Sequence, residues 1–225
     1  ASHDLQEPLR KIGTYTQMLE NNIGSHLDEK SKNFIWKVQN SALRMTTLIR
    51  DLLNYSELAK DTDGFEEIDL TNILKTIISD FELLIEQKGA VIHVNKLPII
   101  KAIPLQMAQL FGNLMGNSLK YSRKDIPPVI SVSASEIGVR EKKEYNINPS
   151  MSYLKIQFKD TGIGFKDEYA EQIFHIFKRM HGKLDYEGTG IGLAMCKKIA
   201  LNHYGDINAL GSSEEGAIFN IILPI

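Results

Sequence analysis

The spacing of apolar residues over the first 60 positions leaves this 225-residue chain few ways to begin. Leu5, Leu9, Ile12, Leu19 and Ile23 fall at intervals built from fours and threes, with Thr16 filling the gap. That is the seam of a helix packed along another helix. The turn from Asn21 to Ser25 ends it, with Gly24 expected as its C-terminal cap. A longer helix is predicted over 28–60. Phe34, Val38, Ser41, Met45, Leu48, Leu52, Tyr55 and Ala59 keep the same spacing there, while Ile35, Ala42 and Ile49 widen the stripe and Trp36 lies off it. Two helices with stripes this broad cannot bury them against each other alone. An antiparallel hairpin that dimerises into a four-helix bundle solves the problem, and an intramolecular pair packed on the next domain is the alternative. His3 and Asp4 stand at the start of the first helix, His3 one residue off the seam and facing solvent. Pro8 lacks an N–H, so the Asp4 carbonyl loses its helical partner and a bend is expected there.

After residue 60 the pattern changes. Residues 61–66, with Gly64 among polar neighbours, read as a linker, and 67–225 as a second domain in which helical and strand periods are mixed. Strands are expected at 65–68, 90–95, 99–102, 129–137, 153–159, 206–210 and 217–223, and helices at 69–88, 104–122, 167–177 and 190–203. Asp69 is the expected N-cap of the first of these helices and Pro104 opens the second. The charged stretch 138–152 reads as a long hairpin excursion. The fold class is therefore α+β: a helical hairpin, then a sandwich of a mixed sheet with helices on one face.

A formal net charge of −2 from 26 basic and 28 acidic residues offers no basic stripe for nucleic acid or an anionic membrane. No apolar run approaches the length of a membrane span, so no membrane contact is expected from this fragment. The single cysteine, Cys196, rules out an internal disulfide and fits a reducing, cytoplasmic setting. With no initiator Met and His3 almost at its start, the chain is expected to be part of something longer.

Three clusters carry chemistry. Gly188-Thr189-Gly190-Ile191-Gly192-Leu193 leads into a helix, where alternate glycines let backbone N–H groups approach an anion; a plain tight turn explains it about as well. Asp160-Thr161-Gly162-Ile163-Gly164 follows a strand and can aim a carboxylate into a backbone-walled pocket, ready to accept from an exocyclic amine such as that of adenine. An Asx-turn is its plainer explanation. Gln106, Gln109, Asn113, Asn117 and Lys120 form one polar stripe on the helix from Pro104, opposite Leu110, Phe111, Leu114 and Met115. Such stripes are usually solvated, yet mid-helix asparagines are poor helix formers, and their amides can ligate Mg²⁺ or hold phosphate. No carboxylate lies between Pro104 and Ser122, so the charge for Mg²⁺ would come from a nucleotide.

In this order the features resemble the catalytic core of a sensor histidine kinase across essentially the whole chain. Ser2 to Leu9 is similar to the family's H-box, NLMGNSLKYS (113–122) to its N-box, and DTGIGF (160–165) and GTGIGL (188–193) to its two glycine boxes. Phe174-His175-Ile176-Phe177 resembles the F-box beside the ATP lid, about Lys178 to Glu187. The wording around the H-box and the last glycine box is similar to kinases attached to phytochrome or PAS sensors.

The resemblance implies ATP and Mg²⁺ as cofactors, a homodimer, an upstream sensor domain, and a response regulator receiver domain as partner. It implies His3 as phosphoacceptor and Asp4 as its base, with Arg179 offsetting charge on the transferring phosphoryl group (Lys178 and His181 are alternatives). Asn117 would ligate Mg²⁺, and Asn113, Lys120 and Tyr121 would contact phosphates or ribose. Asp160 would read the adenine amine beside Gly162 and Gly164. Phe177, Gly188, Thr189, Gly190, Gly192 and Leu193 would line the nucleotide and let the lid close. Related ATPases of the gyrase, mismatch-repair and heat-shock type share the pocket but resemble one another in a water-activating glutamate four residues before the metal-binding asparagine. Here that position is Asn113, which cannot act as a base, so transfer is expected over hydrolysis. A degenerate, nucleotide-binding scaffold is a further alternative, disfavoured because every motif residue is present. One departure stands out: Glu7 occupies the place where many similar kinases carry Thr or Asn for dephosphorylating the regulator, so weak phosphatase activity is expected.

Overall fold

A computed structural model describes residues 2–58, 64–145, 147–178, 188–212 and 215–225, with side chains described from Asp4 onward. Its contacts separate into two compact units, Ala1–Glu57 and Leu58–Ile225.

The first unit is a helical hairpin. Helix α1 (Ser2–Ile23) continues through Pro8, a short 3-10 turn follows over Gly24–His26, and α2 (Glu29–Glu57) returns along it. Gly24 does not take the left-handed conformation expected of a C-terminal cap; the chain instead tightens into the 3-10 turn. At the start of α2, the Ser31 N–H donates to Asp28 Oδ1 at 2.8 Å, which satisfies an otherwise orphaned amide. That bond and the Ser31 hydroxyl hold the Asp28 carboxyl below its ordinary pKa. Within the hairpin only Leu9 and Ala42 are buried among the described residues. Ile12, Leu19, Ile23, Phe34, Val38, Met45 and Leu52 stay exposed, so one hairpin does not cover its own stripe.

The second unit is the sandwich. In chain order it contains β1 (Glu66–Asp69), α3 (Leu70–Asp80), α4 (Glu82–Lys88), β2 (Val91–Val94), β3 (Ile99–Ala102), α5 (Pro104–Lys120) and β4 (Val129–Glu136). Then come α6 (Val139–Glu144), β5 (Tyr153–Asp160), 3-10 turns at Asp167–Tyr169 and Gln172–Phe174, α7 (Gly192–Asn202), β6 (Asp206–Ser212) and β7 (Gly216–Pro224). Strands β1 and β3 pair in a small antiparallel sheet. The main sheet has the order β2-β4-β5-β7-β6, parallel only between β2 and β4.

Alternation along the strands decides which face is covered. Ile130, Ile156, Phe158 and Ile221 point toward α5 and α7 and are fully buried with Leu110, Phe111, Leu114, Cys196 and Ile199. The Phe111 and Phe158 rings meet at 6.3 Å. Each such side chain contributes about 1.5–3 kcal/mol by leaving water, so these two helices are fixed firmly on the sheet. On the opposite face Tyr153 and Ile222 join Ile137 beneath Tyr145 and Ile147. The excursion at 138–152 is therefore not a bare hairpin: it carries α6, tied back by the Glu141–Lys155 ion pair.

Three helices differ from their sequence expectations. The helix predicted over 69–88 breaks at Phe81, whose N–H is shared among the carbonyls of Ile77, Ile78 and Ser79. The ring of Phe81 lies where a Cβ on Gly116 would meet it at 3.4 Å, so packing on α5 decides the break. The helix expected at 167–177 is a pair of 3-10 turns. The helix expected from Gly190 begins at Gly192, because Gly190 takes a positive φ of 76°. The Asp69 cap is present, its Oδ1 accepting from Thr71 N–H at 2.8 Å.

Candidate functional site

Asp160 ends β5 beside β7, and the backbone around it is shaped to its carboxylate. Oδ1 accepts from the Gly162 N–H at 2.8 Å and from the Ala217 N–H at 3.3 Å, and Oδ2 accepts from the Ser118 hydroxyl at 3.1 Å. The group is only 6% exposed. Burial raises its pKa above the ordinary carboxylate value, against the lowering effect of those three donors. A carboxylate held this way, with Oδ1 saturated and Oδ2 partly free, is a receptor for one further N–H donor.

The cavity in front of it encloses about 90 Å³. Asn117 and Tyr121 line it from the α5 side, Gly164 and Phe165 from the loop after β5, and Leu193, Ala217 and Phe219 from α7 and β7. Ile173 and Lys178 complete it. Apolar walls with one buried carboxylate suit a flat heteroaromatic ring carrying an amine.

The glycines here are required by close approach. A Cβ on Gly162 would stand 2.6 Å from the Tyr121 carbonyl oxygen and 2.8 Å from Asp160 Oδ1. One on Gly164, at φ +61°, would stand 1.9 Å from the Ser212 carbonyl oxygen. At the other end of the site a Cβ on Gly188 would meet Lys120 Nζ at 2.6 Å, and one on Gly192 would meet Asn113 Oδ1 at 3.2 Å. Lys120 donates to the Tyr121 hydroxyl at 2.9 Å and lies over its ring. Asn113 donates to Met195 Sδ at 3.6 Å. The Phe177 N–H donates to the Gly190 carbonyl at 3.0 Å, so the two ends of the segment 178–189 are pinned together. Phe177 takes a left-handed φ of 64° to make that bond.

Two family models match the chain. Residues 1–61 match the "His Kinase A (phospho-acceptor) domain", and residues 102–225 the "Histidine kinase-, DNA gyrase B-, and HSP90-like ATPase". The phytochrome-like protein Cph1 of Synechocystis is 34% identical over 225 residues, covering 100% of this chain and 28% of its own. The sensor protein kinase WalK of Staphylococcus aureus is 29% identical over 231 residues, covering 99% of this chain and 52% of its own. The chain belongs to the sensor histidine kinase family. Its fold matches full-length ShkA, solved in complex with AMPPNP, at a TM-score of 0.69 and 21% identity over 99% of this chain and 44% of that one. It also matches the Acinetobacter baumannii histidine kinase AdeS at a TM-score of 0.64 and 17% identity, over 99% and 97%. The chain thus spans 28% of its phytochrome relative, and a kinase core is the part it represents.

Within this kinase core the residues singled out from sequence fall into two groups. Asn113, Asn117, Lys120, Tyr121, Asp160, Gly162, Gly164, Phe177, Gly188, Thr189, Gly190, Gly192 and Leu193 all lie in the second unit, on α5, the loop after β5 and the approach to α7. Arg179 and His181 lie outside the described residues, as does most of the lid. His3 and Asp4 lie in the first turn of α1, where Asp4 is exposed. Glu7 pairs with Lys11 at 2.9 Å. Gln106 leaves the predicted polar stripe: it is buried and accepts from Asn202 Nδ2 at 3.2 Å, holding the far end of α7.

Sequence reasoning missed Ser118, which sits behind Asp160, and Ala217 and Phe219, which arrive from β7. It also missed Arg123, whose Nε donates to the Gly162 carbonyl at 3.0 Å. No local spacing connects these residues to Asp160. Cys196, fully buried with its thiol pKa pushed up to about 12 by burial, is a packing residue. A larger groove of about 900 Å³, lined by Phe65, Leu97, Ile99, His203 and Tyr204 among others, includes none of the motif residues.

Proposed function

We propose that this chain is the autokinase core of a two-component sensor: it binds Mg-ATP and phosphorylates His3, from which the phosphoryl group passes to an aspartate of a response regulator. The observation that carries the reading is the Asp160 carboxylate, buried and oriented by three donors at the end of a pocket whose remaining walls are mostly apolar. Such a receptor fits adenine through its exocyclic amine. The phosphates would then lie toward Asn113, Lys120 and the glycines from Gly188 to Gly192, where a backbone without side chains permits close approach. Bound Mg²⁺ would offset charge on the β- and γ-phosphates, with Asn117 as its protein ligand.

In the proposed transfer one ring nitrogen of His3 attacks the γ-phosphorus, the P–O bond to ADP breaks, and Asp4 accepts the proton from the other ring nitrogen. Arg179 would steady the charge on the moving phosphoryl group. Asn113 stands where a hydrolytic relative would need a carboxylate base, so water is not activated there and the histidine is the acceptor. Dimerisation through the open stripe of the hairpin and an upstream sensor domain belong to the same proposal.

The test is incubation with labelled ATP and Mg²⁺. Acid-labile, alkali-stable label is expected on the wild type and none on His3→Gln, while Asn117→Asp is expected to lose label with His3 intact. Label persisting on His3→Gln would overturn the reading.

A further inference from the structure

Ser118 is 2% exposed, lies one residue past Asn117 on α5, and does not line the pocket. Its hydroxyl donates to Asp160 Oδ2 at 3.1 Å, the oxygen not used by the Gly162 and Ala217 amides. Resting on the adenine reading above, we propose that Ser118 is the positioning residue that sets nucleobase selectivity, holding Asp160 Oδ2 ionised and aimed so that its one free acceptor site meets an amine.

The chemistry follows from the two oxygens. Oδ1, taking two backbone N–H groups, is fixed by the fold and cannot turn away. Among the described residues, the Ser118 hydroxyl is the donor that reaches Oδ2 and sets its direction, and it adds to the two amides on Oδ1 in opposing protonation of the carboxyl. An ionised Oδ2 accepts from the adenine amine and repels the carbonyl that guanine carries at the same ring position. A protonated Oδ2 does the reverse: it can donate to that carbonyl and has lost an acceptor for the amine. Discrimination between the bases is therefore a matter of the carboxyl's charge, and Ser118 bears directly on it. Desolvation is the largest influence on Asp160 and pushes toward the neutral form, while the Gly162 amide, then the Ser118 hydroxyl and the Ala217 amide, push back. Among the described residues, the other titratable or charged side chains facing this corner are Tyr121 at the end of α5, Lys178 beyond the second 3-10 turn, and Arg123, which holds the Gly162 carbonyl. Among the described residues, β7 and α7 contribute the uncharged Ala217, Phe219 and Leu193.

A purely structural serine would change binding by one factor at all pH values. A positioning serine changes the pH profile. The experiment is titration of the chain with ATP and with GTP, in Mg²⁺, from about pH 5.5 to about pH 8.5, for wild type, Ser118→Ala, Ser118→Thr and Ser118→Cys. Comparing proteins at each pH cancels the titration of the nucleotide's own phosphates. A hydrogen bond to a charged group is of the size that changes an affinity by about tenfold or more. Ser118→Ala should therefore bind ATP about tenfold more weakly than wild type at the acid end and approach it at the alkaline end. Its ATP-over-GTP preference should fall by a similar factor in acid. Ser118→Thr, which keeps the hydroxyl, should follow the wild-type profile, and Ser118→Cys, a weaker donor of similar size, should lie between. The cysteine variant carries the test if alanine fails to fold, as judged by circular dichroism. An unshifted profile, or one uniformly lowered, overturns the proposal. Asp160→Asn separates the two readings. If it keeps ATP affinity and base preference, the adenine receptor itself is wrong; if it loses both while Ser118→Ala matches wild type, only the role of Ser118 is wrong.

Discussion

The glycines of the two glycine boxes differ in what a methyl group would strike, and that difference predicts different phenotypes. At Gly164 a Cβ meets the Ser212 and Gly216 carbonyl oxygens, both backbone, at a φ that L-residues avoid. Gly164→Ala should therefore lower stability by at least about 1–3 kcal/mol from the left-handed backbone alone, read as a drop of several degrees in Tm. At Gly188 the obstacle is the ammonium end of Lys120, which can move. Gly188→Ala carries the backbone penalty of its own φ of +151° but meets only the movable end of Lys120 among the described residues, so it should lose less Tm than Gly164→Ala, while raising the KM for ATP because Lys120 is displaced from the phosphate side. Equal losses of Tm in the two variants would contradict this assignment. Glu7 makes a third residue-scale case. Its pair with Lys11 is solvent-exposed and contributes little to stability, so its proposed consequence is electrostatic: four residues after His3, the proposed acceptor, a carboxylate would repel a regulator's phosphoryl group. Glu7→Asn is expected to raise the rate of regulator dephosphorylation and leave autophosphorylation of His3 in place. Rapid dephosphorylation by the wild type that Glu7→Ala abolishes would exclude this role.

Helix α7 shows how one element serves both the site and the frame. Its first residue, Gly192, lies against Asn113, and its last turn holds the start of the second unit. There Asn202 Nδ2 donates to the Leu58 carbonyl at 2.7 Å, and His203 Nε2 accepts from the Ile103 N–H at 3.0 Å. Since Nε2 accepts, Nδ1 carries the proton and donates to the Ile199 carbonyl at 2.8 Å. Both nitrogens are committed in the neutral ring, and burial lowers the pKa of His203. A depressed histidine contributes stability that is fully present above its unfolded pKa and lost as pH falls through the folded one. Between about pH 7.5 and about pH 5 the wild-type Tm should fall further than that of His203→Gln, which can still accept from Ile103 but takes up no proton. Parallel declines in thermal melts would remove His203 as the cause. Elements such as this also mark what the sequence could reveal. Asp69, Pro104 and the strand alternation act locally, so the caps and strands of the sandwich were legible. Phe81 breaks a helix because of Gly116 on another helix, and Ser118 reaches Asp160 across 42 positions; neither has a spacing to read. The candidate site was half legible for the same reason: its glycines and polar side chains form short motifs, whereas Ala217 and Phe219 enter only through the pairing of β7 with β5.

At the scale of the molecule the two units have different unmet needs. The sandwich closes its own core, with α5 and α7 packed on the sheet, and holds the proposed nucleotide pocket, whose described lining runs from Asn117 to Phe219. The hairpin does not close its own. Val38, Met45 and Leu52, spaced by seven, occupy the same position in successive heptads and remain about 45% exposed. A second copy of the hairpin would supply a matching apolar stripe, and the proposed fourfold packing would bury both. Light scattering should accordingly find the wild type at twice the mass of one chain. Val38→Glu with Leu52→Glu would bury four carboxylates per dimer without partners, which should weaken association by at least about 100-fold. Because the pocket lies wholly within residues 58–225, the same variant should bind ATP as the wild type does. A wild type that runs as a monomer at tens of micromolar, or a double variant that keeps the dimer mass, would refute the fourfold bundle. Loss of ATP affinity in a well-folded monomeric variant would instead show that the pocket depends on the hairpin, contrary to the separation of the two units.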